Sequence, residues 1–72
     1  MEKAVARQIS ELMLEYYAKL NVSVQLVSDR CSEEECKRYR KAIGLIMGHM
    51  TTEVMMPLYK KHPDLEPPSF EP

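Results

Sequence analysis

Two cysteines and two histidines are the residues of this sequence best suited to chemistry: Cys31, Cys36, His49 and His62. Together they supply the sulfur and nitrogen donors of a zinc site, which must lie about 2.0–2.3 Å from the metal. Their spacing argues against one. Cys36 and His49 stand thirteen residues apart in a helical stretch, so roughly 20 Å separates them at 1.5 Å of rise per residue. Only a site shared between subunits would gather the four. Cys36 therefore reads as a small core residue and Cys31 as a loop thiol. A disulfide between them is not expected in a reducing compartment.

A second set is Glu11 and Glu15 with His49 and Glu53. Carboxylates and histidines on facing helices are how bundle metal sites are assembled, but the usual Glu-x-x-His spacing is absent. These residues read as solvated helix flanks with weak i,i+4 pairs. A third set, Lys37, Arg38, Arg40 and Lys41, surrounds Tyr39 as a local basic cluster that could touch phosphate or RNA. Glu33, Glu34 and Glu35 lie one turn earlier and offset it, and the net charge of −1 supplies no general attraction for nucleic acid. A nucleic-acid-associated regulator is the second reading, and a metal- or small-ligand-binding bundle the third. There is no glycine-rich phosphate loop, and no serine, cysteine or threonine has an identifiable base beside it. No enzyme activity, cofactor or metal is expected.

The elements that carry these residues are helical. Val5, Ile9, Leu12, Met13, Tyr16 and Leu20 recur at steps of three and four, the stripe of an amphipathic helix. Residues 21–28 are ambiguous, because Val22, Val24 and Leu26 alternate as in a strand while Val24 and Val27 prolong the helical stripe. A lone strand would have no partner, so the helix is expected to run over residues 2–27. Asp29–Ser32 is the turn. Ser32 is a good N-cap and Glu35, three residues later, completes a capping box. A second helix over 33–56 follows, with a main stripe of Cys36, Tyr39, Ile43, Ile46, Met47, Met50 and Val54. Beside it runs a line of mostly small residues, Gly44, Gly48, Thr51 and Met55, spaced like a heptad seam. Pro57 is expected to end or kink this helix, leaving room for one further turn over Leu58–His62.

The fold expected is thus an all-α antiparallel helical hairpin over residues 1–62, followed by a proline-rich tail over 63–72 that Leu65 and Phe70 could pin down. Seventy-two residues give one domain with a marginal core. Charged residues at 29% and hydrophobic residues at 44% exclude a disordered chain. Two glycines and no tryptophan count against a β-sandwich or barrel. The longest uncharged stretch, Ala42–Thr52, is too short and too polar to span a membrane, and no export signal is recognisable. A cytoplasmic location is expected. Each helix carries more apolar surface than one hairpin interface can bury. That surplus predicts a homodimer, most simply a twofold four-helix bundle joined along Gly44, Gly48, Thr51 and Met55. The function expected is a non-enzymatic interaction or regulatory module whose protein partner the sequence does not name.

Overall fold

The computed structural model describes residues 1–68. Helix α1 spans Lys3–Arg30 and helix α2 spans Glu33–His49, separated only by Cys31 and Ser32. The backbone then widens into a π-helical turn, Met50–Met55, and continues as helix α3, Met56–Lys61. Backbone dihedrals remain right-handed helical through both junctions, so α2, the π-turn and α3 form one unbroken rod. Cross-links between the rods run antiparallel, from Ser23–Tyr39 beside the turn to Ser10–Tyr59 at the open end. The all-α hairpin is therefore the observed architecture. Its longest dimension of 44 Å matches the roughly 42 Å expected of a 28-residue helix.

The ambiguous segment 21–28 is helical throughout, and α1 ends three residues later than expected. Within it the Ser23 hydroxyl donates to the Leu20 carbonyl at 2.6 Å and Gln25 donates to Asp29 at 2.8 Å. Val24 and Val27 continue the half-buried side of the helix, so burial along the partner rod outweighs their β-branched preference for strand. At the turn Cys31 and Ser32 are extended, and the Ser32 side chain accepts from the Glu35 N–H at 3.2 Å. With Glu33, Glu34 and Glu35 in the first turn of α2, negative charge sits where the helix dipole favours it.

Pro57 does not end the helix. In a regular α-helix its ring would meet the carbonyl of Glu53, and its missing N–H would leave that carbonyl unpaired. The chain instead opens into the wider π-turn immediately before it, with bonding shifted by one residue: the Met56 N–H reaches the carbonyl of Thr51. A π-turn holds about one residue more than the α-turn it replaces, so everything beyond it is rotated by about 100° relative to a continuous α-helix. That rotation carries Met55, Leu58 and Tyr59 onto α1.

The core accordingly sits at the open end of the hairpin. Ala6, Met55, Leu58 and Tyr59 are buried together, with Ile9, Met13, Tyr17 and Leu65 packed around them. Cys36 and Ile43 are the other buried hydrophobic residues among those described. This phase corrects the stripe expected for α1. Val5, Leu12 and Tyr16 are 42%, 40% and 45% exposed, while Ala6, Ser10 and Tyr17 face the second rod. The reason is chemical as well as steric. Ala6 and Ser10 are small enough for α3 to come close, and the inward polar groups find partners. Ser10 Oγ bonds to Tyr59 Oη, and the Tyr17 hydroxyl donates to the Met47 carbonyl at 2.9 Å.

The start of the tail is also part of this end. Pro63–Leu65 forms a single 3-10 turn that lays Leu65 on the core. Lys3 pairs with Asp64, and His62 Nε2 lies 3.1 Å from the Met1 carbonyl oxygen. The Lys3 ammonium holds the Asp64 carboxyl below its ordinary value. This contact is therefore complete above the ordinary carboxylate range and is released as the pH falls through that lowered value. Phe70, the second expected anchor, lies outside the described residues.

Candidate interaction surface

The structure does not gather the residues with ligand chemistry. Cys31 and Cys36 line one shallow groove of about 330 Å³ beside the turn, together with Ser28, Glu33, Lys37 and Arg40. Cys36 is buried there and receives an N–H from Arg40 at 3.7 Å, whereas Cys31 is exposed. His49 sits at the end of α2, and His62 is beside Met1 at the far end of the hairpin. Glu15 is paired with Lys19 at 3.2 Å on exposed α1 surface, and Glu11 and Glu53 are exposed. Among the described residues no group of three His, Cys, Asp or Glu side chains could hold a metal ion.

The basic cluster is divided by the helix that carries it. Lys37 and Arg40 border the cysteine groove. Arg38 borders a second groove, of about 380 Å³, with Val27, Cys31, Glu35, Tyr39 and Ala42. Lys37 and Arg40 thus border one groove and Arg38 the other, and Glu33 and Glu35 stand among them. Within the described residues no helix is long and apolar enough to cross a membrane.

The small-residue seam is divided too, and here the π-turn decides the outcome. Gly44 and Gly48 precede it and stay on the exposed outer side of α2. Thr51 and Met55 lie within it and turn toward α1. The Thr51 hydroxyl pairs with that of Tyr17 and lies 2.9 Å from the Met47 carbonyl oxygen, and Met55 is 0% exposed. The four residues expected to share a dimer interface therefore do not share a surface, and Met55 belongs to the core of its own chain. Burial is the larger cause that raises the Tyr17 phenol above its ordinary pKa, and the neighbouring Tyr59 adds to it. The pair of hydroxyls stays protonated as a fixed cross-link between the rods.

A Cβ built on either glycine meets no atom within 4 Å. Alanine at Gly44 or Gly48 is therefore expected to stabilise the isolated fold, by up to about 1 kcal/mol each from helix propensity alone. Urea unfolding followed by circular dichroism measures it; a loss of stability in either variant would show that another helix closes on this ridge.

What remains is an apolar edge of the hairpin. Ser23 receives the Tyr39 hydroxyl at 2.8 Å across the edge of the hairpin. One heptad from Ser23 along α1 stands Tyr16, and one heptad from Tyr39 along α2 stands Ile46, so all four share that edge. Tyr16 and Ile46 are 45% and 48% exposed. The opposite edge is the one bridged by Ser10–Tyr59 and Tyr17–Thr51. No protein-family model, no curated protein and no solved structure matches the chain.

Proposed function

We propose that this chain works as a small, non-enzymatic helical homodimer in the cytoplasm, an interaction or regulatory module that presents helical surface to another protein. The observation that carries the reading is an imbalance of surface. The chain exposes 5519 Å², whereas a compact monomer of 8.4 kDa exposes about 4,600 Å². The surplus of about 900 Å² compares with the roughly 800 Å² that each partner contributes to an interface of ordinary size. Among the described residues six hydrophobic ones are buried, against ten large ones left exposed, which is thin cover for a chain that must offset its conformational entropy alone. Free thiols at Cys31 and Cys36 suit a reducing compartment.

Light scattering over a concentration series tests it. The expected mass is twice 8.4 kDa, falling toward the monomer on dilution. A monomer mass at every concentration, with helicity intact, would overturn the homodimer.

A further inference from the structure

The bare edge marked by Ser23 and Tyr39 is more than unclaimed surface. We infer that the second copy docks there, with Val5, Leu12 and Tyr16 of α1 and Ile46 of α2 at its centre, and that the glycine ridge stays outside the dimer. This rests on the homodimer reading above and names its face. The four side chains are each between 40% and 48% exposed, and they lie on one edge by heptad spacing from the Ser23–Tyr39 bond. At the turn end the same edge opens into the groove lined by Val27, Tyr39 and Ala42. The apolar surface therefore continues along the rod. The opposite edge is already closed by the chain's own Tyr17–Thr51 and Ser10–Tyr59 bonds.

Three physical features favour a second copy as the occupant. The surplus area of the whole chain is of the size that one partner gives to a protein interface, which a second copy would cover. A twofold interface uses the same patch twice, so the patch must be complementary to itself. An apolar strip meets that condition when its margins carry both signs, and they do: Lys19 stands one heptad beyond Leu12 and is paired with Glu15, and Glu35 and Arg38 border the groove on the α2 side. Finally, the need for cover is permanent, because the chain's own core is small. The one partner present whenever the chain is made is another copy of it. Two hairpins joined edge to edge place four helices around one shared core.

The test uses the full chain. Leu12→Glu and Ile46→Glu each place a charge at a position that the single chain leaves partly exposed, 40% and 48%. Each should raise the dimer dissociation constant by about a hundredfold or more in sedimentation equilibrium. Gly44→Leu and Gly48→Leu should leave it within a few-fold of the original. Hydroxyl-radical footprinting of the unaltered protein gives a second measurement that needs no variant. Over the concentration range in which the mass doubles, Leu12, Tyr16 and Ile46 should lose reactivity several-fold, while Val22 and Leu45, which are 68% and 61% exposed and lie off this edge, keep theirs. A dimer whose Leu12, Tyr16 and Ile46 stay as reactive as in the monomer would overturn the face and leave the dimer standing. So would a dimer abolished by leucine at Gly44 or Gly48 and untouched by glutamate at Ile46. A protein that never doubles its mass would overturn both. If a glutamate variant loses its helicity, the footprint decides.

Discussion

Replacing Met55 with alanine should cost about 3 kcal/mol, within the range found for deleting buried methionine and leucine side chains. Met55 is 0% exposed and sits among Ala6, Leu58 and Tyr59, so the cavity has no easy way to collapse. Stability for a chain of this length is on the order of 4–11 kcal/mol, and the loss is a large part of it. The neighbouring change Met56→Ala is the control. Met56 is 55% exposed, and surface truncation of that kind moves stability by no more than about 0.5 kcal/mol. Both belong in urea unfolding at one fixed protein concentration, since assembly contributes to the apparent stability. The comparison separates two pictures of the same residue. On a continuous α-helix Met55 would follow Gly48 along the outer seam and its truncation would leave the fold intact. Equal, small losses for the two variants would mean that the π-turn does not rotate Met55 inward.

Deleting Thr52 should cost a comparable amount, and replacing Pro57 with alanine in the same chain should return most of it. Thr52 is exposed, and its hydroxyl bonds back to the Gly48 carbonyl at 3.0 Å. Its removal takes out the extra residue that makes the turn wide. The rod then becomes a regular α-helix with Met55 and Tyr59 still directed at α1, because the deletion and the lost rotation compensate. What the regular helix does not accommodate is Pro57, whose ring now meets the carbonyl four residues back at about 3 kcal/mol. The doubly altered protein removes that collision and should unfold within about 1 kcal/mol of the original. Thermal unfolding of the deletion, the proline substitution and the combination completes the cycle. A deletion that costs nothing, or one that Pro57→Ala does not rescue, would break the link between the proline and the wide turn.

Local chemistry made the turn readable from the sequence. Ser32 with Glu35 and three leading glutamates has one sensible structural meaning, and the cap is where it was expected. The length of α1 was readable because a single isolated strand has no ladder to join. Two features were not readable, for different reasons. Apolar periodicity locates a stripe but not which margin of it faces the same chain. On α1 that choice is made by Ser10 and Tyr17, polar residues whose hydroxyls find partners 49 and 34 positions away, and a pattern that counts only apolar residues passes over them. Pro57 announces a conflict with the α-helix but not its resolution, since stopping and widening relieve the same collision. Burial of Met55, Leu58 and Tyr59 favours widening, and those contacts lie beyond the reach of local sequence. The same blind spot joined Gly44 and Gly48 to Thr51 and Met55, which share a period in sequence but not a surface.

The ladder of cross-links between the rods also sets an order in time. Its rungs close loops of increasing length: Ser23–Tyr39 spans 16 positions, Tyr17–Thr51 spans 34 and Ser10–Tyr59 spans 49. Closure entropy rises with loop length, so the hairpin is expected to zip from the capped turn toward the open end, with the most completely buried cluster forming last. A nucleus at the turn makes Ser32 a residue that governs how fast the chain folds. Met55, expected to pack after the barrier, should then govern how fast it comes apart. The chain thus keeps its initiation and its kinetic durability at opposite ends of a 44 Å rod.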